Sequence, residues 1–221
     1  MPPLSAEDGG PVDAGQVIFR VSSALARLIR SHIGELAADS AVVFDSPADI
    51  DSYDDNRLSL FLYRIDQNPW LRNLPPTLTR RPAGDGRPAA LTSVAAPLVV
   101  DLIYMMVPYG KSSELELVLG DKLVRLFHDI AALEGPWSDP LLRATGNASI
   151  DIVPETESFH VLRDVWAGFP GKSYRLTKLY RLSPVRLPSG ISTAADMVER
   201  ADGDFAPPPA DHGPVGGELP P

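Results

Sequence analysis

The spacing of apolar residues along the chain predicts three amphipathic helices. Residues 13–36, 113–133 and 155–169 each place apolar side chains three or four positions apart, as one face of a helix requires. The stripe of the first helix consists of Ile18, Val21, Leu25, Leu28, Ile29, Ile33 and Leu36. That of the second consists of Leu115, Leu119, Leu123, Leu126, Phe127 and Ile130, and that of the third of Phe159, Leu162, Val165, Trp166 and Phe169.

The ends of these helices have sequence signals of their own. Asp13 with Gln16, and Ser113 with Glu116, have the spacing of a capping box at the start of a helix. Gly168 is a plausible stop for the third helix, because glycine readily ends helices. We therefore expect helices that begin at these caps.

Five segments are predicted to be strands: residues 41–47, 58–65, 97–108, 148–154 and 173–187. The second is apolar on both faces over most of its length, which favours an interior position in a sheet, and the third is expected to be a buried strand. The last alternates polar and apolar residues and is expected to bend at Pro184. With the helices in this order, the chain is predicted to be α+β, a mixed, largely antiparallel sheet of about five strands covered by about three helices.

The remaining segments lack such a pattern. Residues 74–90 contain four prolines and two glycines, so we predict a long irregular loop there, which carries Arg80, Arg81 and Arg87. Residues 1–12 and 188–221 are rich in proline and glycine, and they are expected to be a disordered lead and a disordered acidic tail. The folded domain is therefore predicted to span residues 13–187.

Charge and composition exclude several classes of protein. The net charge of −9 argues against general nucleic-acid binding, which needs basic surface to displace the counterions of phosphates. The absence of cysteine excludes disulfides, cysteine zinc sites and thiol catalysis. Neither a secretory signal nor an apolar run long enough to span a membrane is recognisable, so direct membrane insertion is not expected.

A search for catalytic patterns finds none. The four histidines, His32, His128, His160 and His212, have no metal-binding spacing, and the sequence has no nucleophile elbow, P-loop or dinucleotide-binding motif. The acidic run at residues 49–56 does not match a calcium loop. We therefore predict that the chain is not an enzyme and has no catalytic, cofactor-binding or metal-binding residues and no cofactor.

The segment "LYRIDQNPWLRN", residues 62–73, is the most distinctive candidate for binding. Pro69 must end the strand sharply, and Asn68 and Asn73 can hydrogen-bond the turning backbone. Two interpretations remain open. Trp70 is either packed into the core of a strand corner, or it is exposed with the arginines as an anchor for another protein, since tryptophan and arginine are typical of interfaces.

Four motifs in order resemble one known family. They are "LSLFLYRIDQNPWLRN", "PLVVDLIYMMVPYG", "LGDKLVRLFHD" and "VWAGFPGKSYRLTKLYRLSPVRL", which together cover about residues 15–187. This combination is similar to the Pvc16-like family (DUF4255), whose members resemble the cap, or tail terminator, of contractile injection systems, the phage-tail-like particles of bacteria.

The resemblance implies a structural protein without catalysis. It implies a ring of identical subunits, expected to be a hexamer, that ends polymerisation of the inner tube and sheath. The expected partners are further copies of the chain and the tube and sheath proteins, with cytoplasmic synthesis and assembly and a position at the distal end of a particle that either stays in the cytoplasm or is released. The candidate interface residues are then Arg64, Trp70, Arg72, Asn73, Arg80, Arg81 and Arg87.

Three alternatives remain. The chain could be a baseplate or adaptor subunit of the same kind of particle. It could also be a small-ligand or carbohydrate-binding module, although only 7% of its residues are aromatic. The third is a hydrolase with no recognisable motif.

Overall fold

A computed structural model describes residues 16–50, 55–81 and 90–195. Within these ranges there are four α-helices, which are α1 (Val17–His32), α2 (Ser113–Asp129), α3 (Pro140–Ala144) and α4 (Phe159–Ala167). The nine strands of the same ranges are β1 (Val42–Val43), β2 (Arg57–Gln67), β3 (Thr77–Arg81), β4 (Ala90–Val94), β5 (Leu98–Tyr109), β6 (Ala132–Leu133), β7 (Ile150–Glu155), β8 (Lys178–Leu187) and β9 (Ser192–Ala195).

Six strands form a large sheet in the order β1-β2-β5-β8-β7-β6. All neighbours are antiparallel except β1 and β2, which are parallel. The two edge strands are only two residues long each, which leaves little free edge for another chain. The predicted α+β class with a mixed, largely antiparallel sheet is confirmed.

The first face of the large sheet is covered by α1 and α2. Their apolar residues form one buried cluster with side chains of β2, β5, β7 and β8. Tyr104 of β5 is fully buried in this cluster, and its hydroxyl lies 2.8 Å from the Ser22 hydroxyl of α1. This hydrogen bond satisfies both polar groups inside the main core, as burial requires.

The second face of the sheet is covered by α4. Trp166 packs with Met105, Val107 and Leu179, and its indole nitrogen donates to the Thr177 hydroxyl at 3.1 Å. Strand β5 is therefore buried on both faces from Val99 to Tyr109, as its largely apolar sequence, interrupted by Asp101, predicts.

A second, smaller sheet has the order β3-β4-β9, with both pairs antiparallel. Its strands continue the three central strands of the large sheet in the same order, since β3 follows β2, β4 precedes β5 and β9 follows β8. A hydrogen bond of 3.1 Å from the Ala95 amide to the Ile191 carbonyl joins the segments between the two sheets. The small sheet is therefore an extension of the centre of the large one.

The small sheet corrects two predictions. The loop expected at residues 74–90 is wrong for Thr77–Arg81, which form β3, and the disorder expected from residue 188 onward is wrong for Ser192–Ala195, which form β9. Pro75 and Pro76 precede β3 without interrupting it, and antiparallel pairing with β4 supplies the order that the local sequence lacks.

The N-cap of α2 differs from the prediction by one residue, whereas Gly168 is the C-cap of α4 as predicted. Ser112, not Ser113, is the N-cap of α2, and its hydroxyl accepts a hydrogen bond from the Leu115 amide at 3.3 Å. The backbone of Ser112 is extended, as an N-cap requires, whereas Ser113 is already helical. The expected cap of α1 involves Asp13, which lies outside the described residues; Gln16 is the N-cap of this helix.

Other elements also differ in extent. The strand expected at residues 41–47 is reduced to Val42–Val43, and β6 and α3 were not predicted. Strand β7 continues through Pro154, which has no backbone N–H to donate. At this position β7 pairs with β8, and β6 has already ended, so no hydrogen bond to β6 is lost. Phe159, expected on the buried face of α4, is 65% exposed and contacts the Tyr174 ring instead.

Candidate functional site

The corner after β2 is held by a buried asparagine. The Asn68 side-chain oxygen accepts hydrogen bonds from the backbone amides of Trp70 and Leu71, each at 3.1 Å. The backbone amide of Asn68 donates to the Val99 carbonyl at 2.9 Å. Asn68 itself is only 7% exposed. The prediction that Asn68 hydrogen-bonds the turning backbone is confirmed. Three hydrogen bonds of Asn68 hold the turn in place.

Two further polar residues complete this buried corner. The Asn68 side-chain nitrogen donates to Asp101 Oδ1 at 2.9 Å, and the Ser183 hydroxyl donates to the same oxygen at 2.6 Å. Asp101 and Ser183 lie where the register shifts between β5 and β8, between Val100 and Leu102. The network thus joins β2, β5 and β8 at the end of the large sheet from which the small sheet extends.

Trp70 projects from this corner into solvent and is 90% exposed. The interpretation that packs Trp70 into the core is therefore wrong. Asn68 and Pro69 direct the chain outward, so the largest apolar side chain of the segment is presented on a fixed turn. Tryptophan is enriched among the anchors of protein contacts, so an exposed Trp70 on an ordered turn is suited to such a contact.

Most of the predicted interface residues lie on the corner after β2 or in β3. Arg72 on the corner and Arg80 in β3 are exposed, as is Asn73 beside Arg72. Arg81 is the last residue of β3, and Arg87 lies outside the described residues. The structure thus places Trp70, Arg72, Asn73, Arg80 and Arg81 on the corner and on the strand that follows it.

Arg64 belongs to a different environment. Its guanidinium forms ion pairs with Glu157 at 2.7 Å and Asp66 at 2.9 Å, and it lies 5.6 Å from the centre of the Tyr63 ring. Burial raises the pKa of neighbouring Tyr63 to about 12. Arg64 therefore forms an ion pair with Glu157 in the segment that leads into α4. This ion pair distinguishes Arg64 from the other candidate interface residues.

More apolar side chains are exposed on the segments that meet at this end of the molecule. They are Ile65 near the end of β2, Leu78 in β3, Leu98 at the start of β5 and Ile191 before β9, at 50%, 61%, 48% and 69% exposure. Residues 77–80 of β3 are exposed, residues 91–94 of β4 are half-buried, and none of these is buried. Sequence reasoning missed β4 and β9 as parts of this surface; the β-branched residues of "ALTSV" and "ISTAA" were the available signal.

A cleft of about 230 Å³ near α4 is one candidate for a ligand pocket. Its two cations are engaged in the fold: Lys172 donates to the Ile50 carbonyl at 2.8 Å, and Arg175 pairs with Glu116 at 2.5 Å and lies over the Tyr109 ring. The described residues contain no group of three metal-binding side chains, and none of their helices is both long and apolar enough to cross a bilayer. The exposed corner and small sheet are therefore the better candidate site.

Comparison with solved structures gives two similar folds. One is the sheath/tube terminator of the extracellular contractile injection system PVC in its extended state, determined by cryo-electron microscopy, with a TM-score of 0.58 and 18% identity. The alignment covers 86% of this chain and 66% of that one. The other is the tube-terminating cap of the anti-feeding prophage, with a TM-score of 0.57 and 17% identity, covering 84% of this chain and 60% of that one.

These two proteins are longer than the present chain, which spans less than two thirds of either. No curated protein matches the sequence significantly. The family model of the Pvc16 N-terminal domain matches residues 20–200, which include every strand and nearly all of the helices described above. The chain therefore belongs to the Pvc16 N-terminal domain family.

Proposed function

We propose that this protein is a cap subunit that ends the tube and sheath of a contractile injection system. The observation that carries the proposal is the shared fold with two terminators of such particles over 86% and 84% of the chain. Membership of the Pvc16 N-terminal domain family supports the same assignment. The function is structural, and its partners are copies of the chain and the tube and sheath proteins.

The mechanism follows from the symmetry of the assembly. A tube or sheath grows by repeated head-to-tail contacts, each of which leaves an open surface for the next layer. A closed ring, expected to be a hexamer, ends growth if one of its surfaces fits the last layer and the opposite surface does not repeat that fit. No bond is made or broken, so the activity depends entirely on interface shape and charge.

The corner at Trp70 is the proposed contact with a neighbouring subunit or layer. Burial of a tryptophan removes about 150–250 Å² from water, which is worth about 4–6 kcal/mol before the costs of association. Arg72 and Arg80 add planar donors for carboxylates or carbonyls. Because the corner is already fixed by Asn68, little conformational entropy is lost on binding.

The test is electron microscopy of particles from the encoding strain after deletion of the gene. We expect missing, unstable or length-uncontrolled particles, restored by the wild-type gene. Particles of normal length with an intact distal end would contradict the proposal and favour an adaptor or ligand-binding role. Missing baseplates with normal distal ends would favour a baseplate subunit.

Complementation with Trp70→Ala tests the corner within the same experiment. The purified variant should unfold within about 0.5 kcal/mol of wild type, since exposed substitutions rarely cost more, yet it should not restore the distal end. Leu117→Ala is the matched control, because Leu117 is also an exposed apolar residue but lies on the outer surface of α2. Normal particles with Trp70→Ala, or equal failure of both variants, would argue against the corner.

A further inference from the structure

The corner at Trp70 and a second cleft lie on opposite margins of the large sheet. Strand β1 pairs with β2 only at Leu58 and Ser59, so the end of β2 that leads into the corner is outermost among the described strands. The cleft lies at the other margin, where residues 129–137 include the edge strand β6. Four strand spacings, about 19 Å, separate β2 from β6. Trp70 is 90% exposed, so a copy does not fill its own cleft.

The corner and this cleft lie at the same height along the strands. Asp66, near the end of β2, pairs with Asp101 of β5, whose carboxylate accepts from the Ser183 hydroxyl of β8. Ser183 pairs with Asp151 of β7, and Asp151 pairs with Ala132 of β6. One row of residues therefore crosses the sheet from the corner to the cleft. Copies that touch through these two sites need no shift along the strands.

The cleft combines an apolar lining with negative charge. Its volume is about 390 Å³, within the range of clefts that bind small molecules or side chains. Ile130 and Trp137, both partly buried, and Pro136 supply the apolar lining. Asp129 and Glu134 are exposed carboxylates, and none of the residues that line the cleft is basic. The cleft therefore suits a partner with an apolar side chain and a cation.

Two arginines hold the shape of the cleft by donating to its backbone. The Arg27 guanidinium donates to the Trp137 carbonyl at 3.0 Å. Arg143 donates to the Gly135 carbonyl at 3.4 Å and to the Ser138 carbonyl. These guanidinium groups are bonded to backbone carbonyls, and the cleft is formed before any partner arrives. A preformed site loses little conformational entropy on binding.

The corner has the chemistry that this cleft requires. Trp70 supplies an exposed apolar ring and Arg72 an exposed cation, and residues 68–76 contain no acidic residue. The planar guanidinium of Arg72 suits the carboxylates of the cleft, and opposite charges fix the orientation of two partners. The cleft near α4 presents Lys172 and Arg175 instead, which would oppose Arg72. Charge therefore selects the cleft beside β6.

We propose that Trp70 and Arg72 of one copy dock into the cleft at residues 129–137 of the next copy, and that this contact, repeated, forms the ring. The inference rests on the proposed ring and specifies which two surfaces form it. The contact joins different surfaces of identical chains, so it repeats around an axis and closes when the rotation permits. The equal height of the two sites keeps successive copies level, as a closed ring requires.

Charge reversal in two separate chains tests the contact in the gene-deletion strain. Variant one is Arg72→Glu, and variant two is Asp129→Arg with Glu134→Arg. Each variant alone places like charges at every junction, so we expect roughly tenfold fewer particles with an intact distal end than with wild type. Expression of both variants together should restore the distal end, because the expected hexamer has an even number of subunits and can alternate them.

The controls separate this contact from misfolding and from charge reversal in general. Thermal unfolding of each purified variant should match that of wild type. Asp164→Arg, which reverses an exposed carboxylate on α4, should cap particles normally. Failure of the two variants together, or normal capping by either variant alone, would overturn the proposal.

Cysteine cross-linking in assembled particles provides the second measurement, because the wild-type chain has no cysteine. Asn73 and Ala131 are exposed, the first on the corner and the second in the cleft. With a cross-linker shorter than the width between the two margins, Asn73→Cys with Ala131→Cys should give a ladder of covalent multimers. Asn73→Cys with Leu117→Cys is the control, since Leu117 lies on α2 outside the cleft. Equal ladders, or none, would contradict the contact.

The outcomes distinguish this inference from the proposed function. If gene deletion removes the distal end but the Asn73 and Ala131 cysteines give no ladder, the terminator role stands and the ring closes through another surface. The corner would then contact the tube or sheath protein. If gene deletion leaves particles normal while the purified chain gives the ladder, the contact between copies stands and the terminator role does not.

Discussion

The large and small sheets contain strands that follow one another along the chain, but they differ in burial. In the large sheet, β5 is buried on both faces, and its neighbours β2 and β8 pack under helices. In the small sheet, the continuation of the same strands has no buried side chain at residues 77–80, 91–94 or 192–195. Three strands without a covered face are marginally stable alone. The comparison indicates that the large sheet supplies most of the buried surface that stabilises the fold, whereas the small sheet leaves its side chains exposed or half-buried.

The largest effect is expected from truncating matched leucines in the two sheets. Leu102 of β5 is fully buried, whereas Leu78 of β3 is 61% exposed. Leu102→Ala should lower the free energy of unfolding by about 2–5 kcal/mol, and Leu78→Ala by less than about 0.5 kcal/mol. Urea denaturation measures both values. Comparable losses would remove the distinction between the two sheets.

A smaller effect is expected at the junction between the sheets. Asn68→Ala removes the acceptor of the Trp70 and Leu71 amides and one partner of buried Asp101, so it should cost about 1–3 kcal/mol. Hydrogen exchange should also become faster at the corner. Asn73→Ala is the control, since Asn73 is exposed, and an equal loss in this variant would contradict the role of the buried network.

The smallest effect concerns an ion pair on the helical side of the large sheet. The hydrogen bond from Lys122 to Glu35, 2.5 Å long, lowers the pKa of Glu35 below its ordinary 4.5. The pair therefore stabilises the fold above that pH, and its contribution is lost as the pH falls through the lowered pKa. Lys122→Met should cost about 0.2–1 kcal/mol at neutral pH, because the pair is partly exposed.

The pH dependence of this difference is measurable by thermal unfolding from pH 7 down to pH 3. The stability of the Lys122→Met variant should approach that of wild type as the pH falls, and assembly should be unaffected throughout. Arg125→Met, which removes a more exposed ion pair with Asp121, is the control. A difference that persists at low pH would indicate that Lys122 acts through packing instead.

The comparison of the two sheets also explains what could be predicted from the sequence. Elements that bury side chains have regularly spaced apolar residues in their sequence. This spacing predicted the helices α1, α2 and α4 and the strands β2, β5, β7 and β8. Residues 77–80 of β3 and 192–195 of β9 include no buried side chain, and "TLTRR" and "STAA" therefore carry no such spacing. Their order comes from pairing with β4, which is distant in the sequence from β9.

The candidate site was predictable only in part. The requirement for a sharp turn at Asn68 and Pro69 follows from local chemistry, and the structure confirms that Asn68 bonds the turn. Local chemistry does not determine the direction in which Trp70 points, because that depends on Asp101 and Ser183, residues that are remote in sequence. The same applies to Arg64, whose partner Glu157 is 93 residues away.

The continuation of β2, β5 and β8 into the small sheet has a mechanical consequence. A pull on the small sheet is carried into the large sheet along two neighbouring strands, β5 and β8, through the short connections 95–97 and 188–191, whereas residues 68–76 include the turn at Asn68. Hydrogen bonds in antiparallel sheets run across the strands, so tension along the strands shears many bonds together instead of opening them one after another. The attachment therefore resists force along the strands far better than force across them.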